Sequence, residues 1–434
     1  MPLLPADHPE REVLAEEVHA RPPVPVETPS RASYVAVLVG PDDRERERQH
    51  LAALCAQHAV EPPAEGATQF SARLGTLLVK WERHGEFSGY TFFASGSAQA
   101  RFDDPAVRLL PESWLAGVPG VTIAAVHGLV LRWGEGVPTA AALAEYFDAH
   151  IVVGAELAEG AGVACTDFKL HNDRFARVLL LDRSFTPRQA GRMLQRLFEI
   201  EAYRMMALLA LPVARRLSPR ILSIERSLAT LTDSIAQDAP AQSDSDEALL
   251  QQLTRLAAEV ESSLATSQFR FGACRAYFEL VETRIGELRE QRVPGMQTIE
   301  EFMARRFTPA VATCNTVSQR LHDLSERVAQ ASALLSTRVD ITRERQNQAL
   351  LASMDRRAKL QLRLQQTVEG LSVAAIVYYA AGLVGYLAKG LKAGGAPLDA
   401  DLVVGLAIPV LMVLVLLALR RARKKIAGGT SPHS

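Results

Sequence analysis

The chain has 434 residues, 48% of them hydrophobic, and a formal net charge of −1. It is long enough for two or three structural units, and it lacks the concentrated Lys/Arg surface that nucleic-acid phosphates require, so nucleic acid is not expected as a partner. The four cysteines, Cys55, Cys165, Cys274 and Cys314, stand far apart without the His spacing of a zinc site, and they read as reduced core thiols rather than a disulfide framework.

Residues 1–30 are punctuated by Pro2, Pro5, Pro9, Pro22, Pro23, Pro25 and Pro29, which leave room for one short helix, about Arg11–Ala20. The first residues have neither the basic nor the apolar region of a secretory signal, so the bulk of the chain is expected to stay where it is made. Ser33–Gly40 alternates as a strand does, and Pro41-Asp42-Asp43 turns the chain into a charged helix, Arg44–His58. Two strands follow, Arg73–Glu82 and Phe87–Ala94, joined by Arg83-His84-Gly85-Glu86. Thr122–Trp133 is a further strand, Thr139–His150 a helix, Ile151–Ala158 and Val163–Lys169 a strand pair, and Arg177–Asp182 the last strand. Connections this tight imply an α+β domain with a mixed or antiparallel sheet. Thr186-Pro187-Arg188-Gln189 carries an N-cap, a first-position proline and a capping-box glutamine; its helix is expected to run to about Leu211, where Pro212 stops it and closes a domain of residues 1–212.

From Leu217 helical periodicity takes over. Leu250, Leu253, Ala257, Val260, Leu264, Ser267, Phe271, Cys274, Phe278, Val281, Ile285 and Leu288 alternate spacings of three and four, which is a coiled-coil seam. Pro294-Gly295 turns the chain back, Thr308-Pro309 starts a new helix, and Ala310, Cys314, Val317, Leu321, Leu324, Val328, Ala331 and Leu335 form a second heptad. Nothing breaks a helix between Pro309 and Gly370, so residues 213–369 read as a long helical stalk with an antiparallel coiled-coil hairpin.

Residues 370–420 hold two apolar runs, Leu371–Ala388 and Leu402–Leu419. No charge lies between Glu369 and Lys389 or between Asp401 and Arg420. Each run is close to the ~30 Å hydrocarbon thickness of a bilayer at ~1.5 Å rise per residue, and a charge at mid-membrane would cost ~2.5–3.5 kcal/mol. They read as a two-helix transmembrane hairpin. Arg356, Arg357, Lys359 and Arg363 precede it and the basic tail of residues 421–434 follows, against only Lys389 and Lys392 in the loop, so both chain ends are expected in the cytoplasm.

Candidate sites divide between head and spans. Trp81, Glu82, Arg83, His84 and Glu86 gather two carboxylates, a histidine and an arginine at one hairpin, which suits an acid/base or ligand site but equally a solvated tip flanked by aromatic core residues. Asp167, Lys169, His171 and Asp173 fall at period two and read as the outward polar face of a strand. His19 and Arg21 in the leader suit an interaction epitope or an ordinary surface. In the first span Ser372, Tyr379, Gly382 and Tyr386 share a stripe, with Gly385 beside them, fitting either a pore lining or a helix-packing face. No phosphate-binding loop, zincin or nucleophile-elbow motif is present, so no enzyme reading, cofactor or metal site follows.

Glu17-Val18-His19-Ala20-Arg21-Pro22, Trp81-Glu82-Arg83-His84 with Glu86-Phe87-Ser88 and Tyr90-Thr91-Phe92, and Thr367-Val368-Glu369-Gly370-Leu371-Ser372 with Tyr378-Tyr379 resemble the bacterial family named for domain of unknown function 3422, over nearly the whole chain. The order of parts is also similar to CorA-type magnesium channels, whose first span lines a pore in a ring of subunits and ends in Gly-Met-Asn. Here that end reads Gly382-Leu383-Val384-Gly385-Tyr386, followed by lysines in the loop, so the architecture alone carries over. Together these imply an inner-membrane protein in contact with the lipid bilayer, and either a conductor of divalent cations or a scaffold for a cytoplasmic partner; the heptad seam, which must be buried against Ala310–Leu335 or on a neighbouring subunit, adds an expectation of a homo-oligomer.

Overall fold

The computed structural model describes residues 5–17, 22–134, 136, 138–148, 150–236, 243–393 and 399–427. A short helix α1 (Arg11–Glu17) precedes β1 (Ser30–Leu38), α2 (Arg44–Gln57), β2 (Gln69–Leu74), β3 (Leu77–Arg83), β4 (Phe87–Ser95) and β5 (Val121–Arg132). Then come α3 (Ala140–Phe147), β6 (Val153–Leu157), β7 (Gly162–Thr166), β8 (Ala176–Asp182) and α4 (Pro187–Leu208). The strands form one sheet in the order β2-β3-β4-β1-β5-β8-β7-β6. All neighbours are antiparallel except β5 and β8, so the sheet is mixed.

The strand expected over Arg73–Glu82 is in fact two. Gly75, at φ +62, takes the left-handed conformation that glycine adopts without penalty, and Leu74 and Leu77 pair across the resulting turn. The strand expected over Val163–Lys169 ends at Thr166; residues 167–175 are a loop, so Asp167, Lys169, His171 and Asp173 do not share a strand face.

One core cluster packs Leu51 and Leu54 of α2 against Val35, Trp81, Tyr90, Phe92 and Trp114. A second packs Phe147 of α3 against Leu129, Val163, Leu179 and Val293. The capping box at Thr186 and Gln189 forms as the sequence implies. Helix α4 then lies close on β5, because Gly128 leaves room: a Cβ there would come 2.8 Å from the Phe198 ring.

The long helices are α5 (Ala210–Ala236), α6 (Ser243–Leu288), α7 (Ile299–Arg306), α8 (Thr308–Ala393) and α9 (Ala400–Ala427). Pro212 does not stop a helix. It falls in the first turn of α5, where its missing N–H has no intrahelical partner to lose. Helix α6 ends at Leu288, before Pro294-Gly295, with Arg289 at φ 50. The chain then runs along β6, where Gln291 and Glu156 exchange backbone hydrogen bonds of 2.8 and 2.9 Å and Gly154 donates to Gln297 at 2.9 Å, so the sheet edge is covered. The unexpected α7 starts on a full capping box between Thr298 and Glu301.

The chain divides into two compact units. One holds the sheet with its helices, α5, α6 from Ala248, α7 and α8 as far as Ala333. Within it the heptad positions are buried: Val260, Ser267, Phe271, Cys274 and Val281 on α6, and Cys314, Val317, Leu321, Leu324 and Val328 on α8. Helix α5 adds a third stripe, Ile221, Ile224, Leu228 and Leu231. Arg220 of α5 pairs with Glu259 of α6 at 2.7 Å, Arg320 of α8 with Glu225 of α5 at 2.7 Å, and the Cys274 and Cys314 thiols hydrogen-bond each other. The apolar seams are thus covered within one chain, each large aliphatic contributing roughly 1.5–3 kcal/mol by its burial. All four cysteines are free and buried. In the other unit, α9 packs back on the end of α8.

Candidate functional site

The head-domain hairpin is an ordered polar network and not a solvated tip. Trp81 and Glu47 have no exposed surface, and the indole N–H donates to Glu47 Oε1 at 3.0 Å while the Tyr90 hydroxyl donates to the same oxygen at 2.7 Å. Glu82 pairs with Lys80 at 2.9 Å in a buried setting. Arg83 lies over the Trp81 ring, and His84 stacks on Phe87. Glu86 takes a two-pronged contact from Arg270 of α6 at 2.6 and 3.0 Å. These residues join sheet to helix; their carboxylates are already occupied by internal donors. His19 and Arg21 lie outside the described residues.

In the apolar unit the stripe divides. Val377, Ala381 and Ala388 are buried, and Gly385 sits against α9, where a Cβ would come 3.1 Å from Val404. This face, spaced by four, four and three, is the packing face of the hairpin. Nothing lies within 4 Å of a Cβ built at Gly382, and Tyr379 and Tyr386 are exposed by 72% and 78%. Of the stripe expected from the sequence, Gly385 packs, Tyr379, Gly382 and Tyr386 line an open groove with Asp401, Val404 and Ile408 of α9, and Ser372 is exposed.

A third constellation lies where β6 and β7 open. Val153 pairs with Thr166, so His150, just before β6, meets Asp167, just after β7. His150 Nδ1 is 2.8 Å from Asp167 Oδ2, and His171 Nε2 is 3.0 Å from the same oxygen. The donor atoms of all three lie within 4.8 Å of one another. The Asp167 side chain is 0% exposed and that of His171 1%. Asp167 is placed by its own turn, Oδ1 accepting the Lys169 N–H at 3.2 Å. On the other edge of His171, Nδ1 meets Asp148 Oδ2 at 2.9 Å, and Arg177 holds Asp148 at 3.1 Å. Asp148 ends α3 in the left-handed conformation, φ 53, which Asp tolerates better than most residues. The hydrogen bond from His171, with Arg177 behind it, holds the Asp148 carboxyl below its ordinary range.

With Nδ1–H directed to Asp148, neutral His171 turns a bare lone pair at Nε2 toward the Asp167 carboxylate. That buried nitrogen makes no hydrogen bond. Two arrangements relieve the repulsion: a second proton on the ring, or a cation between the three groups.

The model of the family described as "Protein of unknown function (DUF3422)" matches residues 6–426. The chain belongs to that family. No characterised protein matches it closely enough to lend an activity.

In this DUF3422 chain the loop between β7 and β8 has two sides. Asp167 and His171 face the cluster, and Phe168, Leu170, Arg174 and Phe175 line a cavity of about 610 Å³ with Val35, Tyr90 and Glu201. Beside it, Ser33 Oγ lies 2.9 Å from His127 Nδ1, and His127 Nε2 lies 3.6 Å from Asp173. The residue types are those of a hydrolase triad, but Ser33 is 0% exposed, on the central strand β1, and the two ring nitrogens are used in reverse order. The contact is a core hydrogen bond. Reading the sequence singled out Asp167 and His171 but missed His150 and Asp148; the four-residue spacing of Asp167 and His171 was the available signal, and only the strand register brings the other two to it.

Proposed function

We propose that this protein is anchored in the bacterial inner membrane by α8 and α9, and that its working part is the α+β head, held in the cytoplasm to engage a partner there. The observation that carries this reading is that one chain buries its own helical seams: α5, α6 and α8 cover one another, and Val377, Ala381, Gly385 and Ala388 supply the packing of the hairpin. A ring of subunits is not needed to complete the fold. Among the described residues two helices are long and apolar enough to cross a membrane, and the second, Asp401–Arg421, is 0% buried in its apolar window, as a lipid-facing helix is and a soluble core helix is not. Alkaline carbonate extraction tests the anchor: the full chain stays with the membrane pellet if the hairpin spans, and washes off if the protein is peripheral.

A second reading, a cation pathway in an oligomer, is favoured by the exposed tyrosines of the first span. Tyr379 and Tyr386 are 72% and 78% exposed and set two hydroxyls at membrane depth with no hydrogen bond among the described residues, and a hydroxyl in hydrocarbon costs several kcal/mol, roughly 4–8 on a scale without any hydrogen bonding. A second copy or water would satisfy them. Uptake of Mg²⁺, Co²⁺ or Ni²⁺ by proteoliposomes of confirmed orientation tests it; no flux removes the pathway and leaves the anchored head.

A further inference from the structure

We propose that His150, Asp167 and His171 bind a first-row transition dication of the Zn²⁺ type, with Asp148 and Arg177 as its outer shell. This inference stands on the head alone and does not depend on the membrane reading.

The donor set decides the class of ion. Two imidazole nitrogens and one carboxylate suit zinc and its neighbours, whereas Mg²⁺ and Ca²⁺ seek oxygen shells that this cluster does not offer. Three protein ligands within 4.8 Å leave the fourth position of a tetrahedral ion to water or to a ligand. The outer shell is the arrangement metal-binding histidines use: Asp148 takes the His171 Nδ1–H, which fixes the tautomer and leaves Nε2 as the ligand atom, and Arg177 neutralises Asp148. The inner charge is then one carboxylate against the two positive charges of the ion, so the loaded site keeps a net positive charge that a bound anion or hydroxide in the fourth position would offset. His150 is the partly open member, with its side chain 31% exposed, and it also lines an apolar cleft with Leu143, Val152 and Met296, so the ion has a route in on that side.

Because Asp167 and His171 belong to the same loop as Lys169 and Arg174, which are exposed, loading the ion should also slow tryptic cleavage of that loop.

The test uses the full chain purified in mild detergent, stripped with chelator and titrated with ZnCl₂ by calorimetry and by metal analysis after desalting. One Zn²⁺ per chain is expected, with MgCl₂ unable to displace it. His150→Gln and His171→Gln should abolish stoichiometric binding, Asp148→Asn should weaken it by about 10–100-fold, and Zn²⁺ should protect Lys169 and Arg174 from trypsin in the wild type only. His150 lies at the rim, so His150→Gln tests the site even if His171→Gln fails to fold. Wild-type protein that retains no zinc overturns the proposal. Equal zinc in wild type and His150→Gln overturns it too, placing the metal elsewhere.

Discussion

Trp81 donates its indole N–H to Glu47 across 3.0 Å, and neither side chain has any exposed surface. Because Tyr90 donates to the same oxygen, one carboxylate on α2 satisfies two aromatic donors from β3 and β4. Glu47→Ala would leave both donors buried without a partner at roughly 1–3 kcal/mol each, and is expected to destabilise the head by about 3–5 kcal/mol once the lost packing is included. Glu47→Gln keeps an acceptor and should cost less than half of that. Urea unfolding followed by tryptophan fluorescence measures both; equal, small losses would show that the network does not hold α2 to the sheet.

His127 makes head stability depend on pH. Burial holds its imidazole neutral, lowering its pKa to about 4 from 6.5; nearby Asp173 opposes the shift and Arg177 adds to it. The unfolded chain takes up a proton near 6.5 and the folded chain only near 4, so stability is complete above 6.5, falls between those values and levels off below 4. The loss is on the order of 3 kcal/mol. Carboxylates act in the same direction, so the measurement is the difference between wild type and His127→Asn in melting temperature from pH 7 to pH 4. The variant should show the shallower decline; parallel curves would mean His127 titrates normally.

The hydrogen-bonded thiols of Cys274 and Cys314 report whether the seam closes within one chain. Mild oxidation of the detergent-solubilised protein should give an intramolecular cross-link that migrates as monomer and disappears in Cys314→Ser. A disulfide-linked dimer would show that α6 and α8 pair between chains.

The two glycines of the first apolar run should respond differently to the same change. Gly385→Leu puts side chain into the contact with Val404 and is expected to splay the hairpin, lowering the yield of folded protein, whereas at Gly382 a Cβ meets nothing within 4 Å and Gly382→Leu extends into the open groove beside α9. If Gly382→Leu shifts the oligomeric state in mild detergent, the groove binds a second copy; if it leaves both yield and mass unchanged, the groove meets lipid.

Features carried by a repeating period were legible from the sequence. The heptads of α6 and α8 repeat one preference many times, and the tertiary structure agrees with it; the alternation read over Ser33–Gly40 found the strand β1, although that strand is buried on both faces. What a single residue decides was harder to see: Gly75 splits one expected strand into two, and Pro212 starts a helix where a proline could as well have ended one. The third stripe, on α5, went unread, although Ile221, Ile224, Leu228 and Leu231 keep the same spacing. The His/Asp cluster was least legible of all. His150, Asp167 and Asp148 converge only because β6 and β7 pair in one register and α3 ends in a left-handed residue beside them, and neither fact has a local signature.

Side-specific thiol labelling tests the central claim, a two-span anchor with the head inside, most directly. The native cysteines are all buried, so a membrane-impermeant maleimide reads introduced ones over a low background. Lys392→Cys, at the end of α8, should label in intact spheroplasts, and Glu112→Cys, exposed on the head, only after permeabilisation. Labelling of Lys392→Cys only after lysis, or of Glu112→Cys without it, would contradict the account.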